Sequence, residues 1–144
     1  MLEGSKTRIL FLCTGISCRS QMAEGWAKHL KSERLEAYSA GIETHGLNPS
    51  AVKVMKEVGV DISGHRSKNV EELLGIPFDF VITVCGHAQE ICPVFLGDVK
   101  QQLHIGFEDP VEAMGTEEVV LNVFRKVRDQ INHEFYNFYN EKLK

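Results

Sequence analysis

No run of apolar residues in this chain approaches the roughly 20 that a membrane-spanning helix needs, and the segment from Met1 to Lys6 lacks the apolar stretch of a secretory signal. Neither a membrane nor a secreted location is therefore expected; the cytoplasm is. Excess positive charge is also missing, since 16 lysines and arginines against 20 acidic residues leave a net charge of −4. That argues against general affinity for nucleic acid or anionic lipid. It also means that an anionic ligand has to be held by a local set of donors, because no global field draws it in. Internal repeats, low-complexity tracts and linker-like stretches are absent too. What remains, 144 residues with 43% hydrophobic and 25% charged, has the size and composition of one globular domain, residues 1–144.

Cysteine is used sparingly, at Cys13, Cys18, Cys85 and Cys92. Two structural disulfides would suit a secreted domain, but in a reducing cytoplasm cysteines are more often catalytic, metal-binding or redox-active. Zinc is disfavoured by spacing: four residues separate the first pair and six the second, neither usual in a zinc ribbon. No metal is expected, and reactive thiols are the reading to pursue.

Strand-like and helix-like segments alternate. Residues 9–12, 37–39, 80–84 and, more weakly, 103–107 read as strands. Residues 20–30 and 49–58 read as helices, the second opening on Pro49, and 70–74 as a short helical turn. A long helix begins at Thr116, with Val120, Val123, Phe124, Val127, Ile131 and Phe135 on its buried side. This alternation implies an α/β fold: a four-stranded parallel sheet with helices on both faces, doubly wound and flavodoxin-like. Such sheets bind ligands at the carboxyl ends of their strands. Cys13 follows the first strand, Cys85 ends the third, and Asp109 lies just past the fourth, so all three fall on one rim.

Between the first strand and the first helix lies Cys13-Thr14-Gly15-Ile16-Ser17-Cys18-Arg19-Ser20. The free N–H groups of a small-residue loop and of a helix start point into one concavity, which suits a tetrahedral oxyanion. A free thiol titrates near about 8.5, and an electropositive nest can lower that by several units. Cys13 is therefore the candidate nucleophile. Arg19, six residues on, can grip two oxygens of the anion in a planar fork, which a lysine could not do. Ser20 can donate to the thiolate and cap the helix. Thr14, Gly15, Ile16, Ser17, Cys18, Arg19 and Ser20 form the candidate substrate cradle.

Cys85 and Cys92 bracket six residues, enough for a short helix or a loop. If the segment is helical, it spans two turns and about 10 Å of rise, too far for a disulfide. A bond between the two would then require unwinding, coupling redox chemistry to local conformational change. Asp109-Pro110 is a common turn signal. Its place after the fourth strand also suits a general acid, able to protonate a leaving oxygen.

Cys13 to Ser20 resembles the phosphate-binding loop of low-molecular-weight protein tyrosine phosphatases. The longer stretch through Gln21-Met22-Ala23-Glu24-Gly25-Trp26 resembles the thioredoxin-coupled arsenate reductases built on the same fold. The likeness continues in Tyr38-Ser39-Ala40-Gly41-Ile42-Glu43-Thr44-His45-Gly46-Leu47-Asn48-Pro49, in Val81-Ile82-Thr83-Val84-Cys85 and in Gly106-Phe107-Glu108-Asp109-Pro110, and so covers nearly the whole chain. The resemblance implies a single cytoplasmic enzyme, working as a monomer, that takes arsenate or phosphate as its oxyanion and thioredoxin as its partner. It implies catalytic Cys13, Arg19 and Asp109, with Cys85 and Cys92 as resolving thiols. It also implies redox disulfides that pass from Cys13–Cys85 to Cys85–Cys92, and no metal or organic cofactor. Cys18 matches a loop cysteine in both groups and reads as packing. Weak hydrolysis of aryl phosphates is expected even from a reductase, which leaves a tyrosine phosphatase as the runner-up. A third reading is an oxyanion-sensing binding protein whose disulfide is a switch.

The departures are informative. Phosphatases of this kind commonly carry tyrosines just after the Asp-Pro, where Val111 and Glu112 stand here. Ile16 replaces an asparagine whose amide ties the loop together; either the loop is less organised or apolar packing substitutes. Some relatives hold potassium beside the loop through that asparagine, a glutamate matching Glu24, a serine matching Ser39, and oxygens near Arg66 to Lys68. Ile16 and Lys68 suit that site poorly. Either the Lys68 ammonium takes the cation's place on Glu24, or Lys68 is a surface lysine.

Overall fold

From Ile9 to Cys13 every residue of β1 (Thr7–Cys13) is buried, as happens in a strand covered on both faces. A computed structural model of the chain describes residues 6–13, 18–30, 33–41, 48–64, 69–85 and 95–143. β1 is flanked by β2 (Leu35–Gly41) and β3 (Phe78–Cys85), and β4 (Val99–Phe107) lies beyond β3. The order β2-β1-β3-β4 is parallel throughout, which is the sheet the alternation implies.

All four strands run beyond their apolar patterns, β2 and β4 the furthest. β2 pairs with β1 over its full length, from Thr7↔Leu35 to Cys13↔Gly41. β4 begins at Val99, although Lys100, Gln101 and Gln102 are exposed. Ladder hydrogen bonds to β3 define that half of β4, not burial, and polar residues on an edge strand discourage pairing with another chain.

α1 (Cys18–His29), α2 (Pro49–Glu57) and α3 (Glu117–Phe138) cover one face. There Met22, Val54, Met55, Phe124 and Ile131 pack on Ile9, Phe11, Ile82 and Val84. Burying each such side chain is worth roughly 1.5–3 kcal/mol. On the opposite face Leu10, Leu12, Ala40 and Val81 lie beneath Phe95 and Leu73, the latter from a one-turn 3-10 helix (Val70–Leu73). Helical segments thus lie on both faces, unequally among the described residues.

α1 begins at Cys18, two residues before the expected Ser20. The core stripe of α3 runs through Leu121, Phe124, Val127, Arg128, Ile131, Phe135 and Phe138, while Val120 and Val123 are half-buried. A valine-rich first turn does not reveal which of its residues faces the sheet.

α2 is capped at both ends. The Asn48 Oδ1 accepts the N–H groups of Ser50 at 2.8 Å and Ala51 at 3.2 Å, and Pro49 supplies the first helical φ. At its end Gly59 (φ +82°) closes a Schellman turn, donating to the Lys56 carbonyl while Val60 donates to that of Met55, each at 3.0 Å. α2 is followed by Val60 and Ile62, which press on α1 at Gly25, where a β-carbon would come within 2.6 Å of Ile62 Cγ2. Only glycine lets α1 lie this close. No helix among the described residues is long and apolar enough to cross a membrane.

Candidate active site

The carboxyl rim of the sheet collects the residues singled out by sequence. β1 ends at Cys13 and β3 at Cys85, one and two residues past their last shared pair, Leu12↔Thr83. Adjacent strands lie about 4.8 Å apart, so the two cysteines terminate neighbouring strands. Cys13 and Cys18 are both buried. The cradle residues Thr14, Gly15, Ile16 and Ser17 lie outside the described residues, as do Arg66, Lys68 and the segment carrying Cys92.

Arg19, in the first turn of α1, is 1% exposed. Its Nη1 donates to the Phe107 carbonyl at 2.9 Å, and its Nη2 stands 3.7 Å from Asp109 Oδ2. The guanidinium is thereby tied to the end of β4 and aimed along the rim. Asp109 forms the turn its sequence context suggests. Its Oδ1 accepts the Val111 N–H at 3.0 Å and caps the short turn Pro110–Glu112, which leaves Oδ2 on the side of Arg19. One oxygen caps the turn and the other faces the guanidinium.

Burial, with Asp109 nearby, pushes the Cys18 thiol up to about 12, outweighing the opposing pull of Arg19. Cys18 is therefore protonated at neutral pH and no nucleophile, in keeping with a packing role. Cys18, Arg19 and Asp109 thus lie within electrostatic reach of one another.

Behind Arg19, Glu24 is buried at 2% exposure and accepts the Ser39 hydroxyl, which ties α1 to β2. Its other oxygen meets Lys28 Nζ at 2.5 Å. Lys28 is the ammonium described on Glu24; Lys68, which the sequence leaves open as either that cation or a surface lysine, lies outside the described residues. The i,i+4 spacing on one helix was the available signal. The Phe107 carbonyl was also missed, and no sequence signal could have found a backbone acceptor.

Fold and site define a class: an α/β protein with a Cys-x5-Arg pattern between the first strand and helix, an arginine fixed at the rim, and an aspartate facing it. The chain belongs to the low molecular weight phosphotyrosine protein phosphatase family, which it matches over residues 8–144, and stands on the arsenate reductase branch of that family. It is 50% identical over 134 residues to an arsenate reductase of Halalkalibacterium halodurans, covering 93% of this chain and 96% of that one. To the arsenate reductase of Bacillus subtilis it is 52% identical over 130 residues, covering 90% and 93%. Among solved structures, an arsenate reductase in a phosphate-binding state superposes with a TM-score of 0.78 at 34% identity, covering 94% of this chain and 98% of that one. A low molecular weight protein tyrosine phosphatase from T. tengcongensis gives 0.66 at 30% identity, covering 94% and 99%.

Proposed function

We propose that this chain reduces arsenate to arsenite in the cytoplasm, through a relay of three thiols fed by thioredoxin, and so detoxifies arsenic. The observation that carries the reading is that Cys13 and Cys85 end adjacent parallel strands on the rim where Arg19 meets Asp109. Relatives identical at about half their positions are arsenate reductases, and one solved neighbour holds phosphate, the isostere of arsenate.

In this scheme the Cys13 thiolate attacks arsenic while Arg19 and the loop N–H groups hold the remaining oxygens. Asp109 protonates the departing oxygen, which leaves as water. Cys85 thiolate then attacks the Cys13 sulfur: an S–S bond forms, the S–As bond breaks, and its electron pair stays on arsenic. Arsenic(V) becomes arsenic(III), and arsenite leaves. Cys92 attacks Cys85, releases Cys13 as thiolate and leaves a Cys85–Cys92 disulfide. The dithiol of thioredoxin reduces that bond by exchange. The chemistry uses thiols alone, without metal or organic cofactor. With Glu24 already paired to Lys28, the scheme does not call on potassium.

The test is arsenate-dependent NADPH oxidation with thioredoxin and thioredoxin reductase supplied. Steady turnover by the wild type, and a stall at Cys13–Cys85 in Cys92→Ser, are the expected results. No arsenate turnover alongside good aryl-phosphate hydrolysis would overturn the reading in favour of the phosphatase for which the family is named. Oxyanion binding without either product would make the chain a sensor.

A further inference from the structure

β3 and β4 keep a regular register from Phe80↔Gln101 through Thr83↔His104 and then slip, so that the next pair is Cys85↔Phe107. Over that step β3 advances by two residues and β4 by three, which places one extra residue in β4 as a bulge. The slip falls where the strands deliver two limbs of the site. On β3 it immediately precedes the strand's end at Cys85. On β4 it precedes Phe107, whose carbonyl holds Arg19 at 2.9 Å, and Asp109, which stands 3.7 Å from the same guanidinium. A bulge re-aims whatever follows it, so its position decides where both limbs point.

The last regular rung is held by more than the backbone ladder. Thr83 Oγ1 lies 2.7 Å from His104 Nδ1 and 3.3 Å from the Leu103 carbonyl oxygen. If Nδ1 is bare, the threonine hydroxyl donates to it. If Nδ1 carries the hydrogen, it donates to Oγ1, and the hydroxyl turns to the Leu103 carbonyl. In either tautomer a β3 side chain is bonded to β4 at the rung before the bulge. Thr83 is 5% exposed, so its hydroxyl needs a partner, and a valine of the same shape would do the packing without one. His104 is exposed on the edge strand, where neither core packing nor the ladder asks for a histidine.

We propose that Thr83 and His104 form a latch that fixes where the β4 bulge sits, which makes them positioning residues for Asp109 on one strand and Cys85 on the other. Neither touches the substrate. Without the latch the extra residue of β4 can migrate along the ladder and turn Asp109 off Arg19. The inference rests on the reductase reading only where it concerns Cys85.

Four variants test it. Thr83→Val and His104→Leu remove the bond and keep the bulk; Thr83→Ser and His104→Asn keep it, because the asparagine amide stands as many bonds from the backbone as Nδ1. The first pair should slow arsenate-driven Cys13–Cys85 disulfide formation in a single turnover by about tenfold. The second pair should restore the rate. Hydrogen exchange, which needs no turnover, should quicken over residues 103–109 in Thr83→Val and His104→Leu. It should stay unchanged in β1 and β2 and recover in Thr83→Ser and His104→Asn. Unchanged exchange over 103–109, or serine and asparagine variants as impaired as valine and leucine, would overturn the latch. A wild type that forms no disulfide with arsenate would instead overturn the reductase reading, and hydrogen exchange would still decide the latch.

Discussion

Two buried arginines occupy two helices of the same layer and face different worlds. Arg128, on α3, is answered group by group within the helical layer. Its Nη1 donates to the Val54 carbonyl at 3.0 Å and to Glu57 at 3.1 Å, while Nε and Nη2 hold Asp129 at 2.8 and 3.2 Å. Its own carbonyl takes the Trp26 indole N–H at 3.1 Å, and Arg125, three residues earlier, binds Glu57 and Glu118. Val54, Glu57 and Trp26 tie α3 to α2 and α1, while Asp129 and Glu118 lie on α3 itself. Arg19, on α1, reaches out of that layer to a strand end, with the Phe107 carbonyl at 2.9 Å and the Asp109 carboxylate at 3.7 Å, beyond hydrogen-bond reach. Burial alone does not make an arginine functional. What distinguishes the pair is that Arg19 stands where strands end and a ligand can enter.

The sharpest way to break this contrast is to substitute both. Arg19→Lys keeps the charge and loses the planar fork, so arsenate turnover should fall by about a hundredfold or more, with oxyanion affinity weakened. Arg128→Met should leave turnover per folded molecule unchanged and lower the unfolding free energy, because the buried Val54 carbonyl and Glu57 each lose a donor. Steady-state kinetics and urea melts of the two variants separate these outcomes. A kinetic defect in Arg128→Met as large as that in Arg19→Lys would erase the distinction.

Asp109 gives the next largest effect. Asp109→Asn retains an oxygen to accept the Val111 N–H but has no proton to give, so kcat should drop by about a hundredfold with KM little changed. Asp109→Ala removes the turn cap as well, and should lose about 1 kcal/mol of stability beyond the asparagine variant. Thermal melts compared with kcat in the two variants would show whether the two oxygens really divide their work. Equal kcat in Asp109→Asn and wild type would remove the general acid from the scheme.

How far the sequence reaches follows from the same contrast. The apolar runs at Ile9 and Val81 announce buried strands, and Cys13, Arg19 and Asp109 fall on one rim because strand ends can be read from where those runs stop. β4 is different: Lys100 to Gln102 carry no apolar signal, since an edge strand is defined by its ladder. The bulge after Thr83, the Phe107 carbonyl and the core position of Arg128 are equally silent, because register and backbone acceptors leave no trace in side-chain type. Lys28 lies within reach of inference, being one turn from Glu24 on the same helix. Ile16, Lys68 and Cys92 fall outside the described residues, and their readings stand where the sequence left them.

Packing between helices supplies a smaller effect that sharpens the comparison from the other side. Gly25 lies on α1, six residues after Arg19, and a β-carbon there would sit 2.6 Å from Ile62 Cγ2 and 3.2 Å from Val60 Cγ1. Gly25→Ala should therefore cost about 1–3 kcal/mol through overpacking, despite the better helix propensity of alanine. Because the strain falls on the α1–α2 contact and not on the rim, the folded fraction should keep most of its turnover. A melt unchanged from wild type would mean that α1 can shift freely, and a helix that shifts freely cannot be what fixes Arg19.

The smallest expected effect concerns charge at the α2–α3 joint. Hydrogen bonds from Arg125 hold the Glu57 carboxyl below its ordinary range; desolvation opposes them, and the charge of Arg125 and then the hydrogen bond and charge of Arg128 add smaller pulls in the same direction. A carboxyl depressed in the folded state stabilises above its unfolded pKa, and that stabilisation disappears as the pH falls through the lower folded value. Wild type should therefore be slightly more stable than Glu57→Gln near neutrality, and the difference should close in acid and in high salt. Arsenate turnover should not follow it. Urea melts across pH 3 to 7 would read the difference directly. A gap that persisted in acid would mean that neutral hydrogen bonding carries the joint, and Arg128 would then differ from Arg19 in geometry alone, with no part played by how its charge is answered.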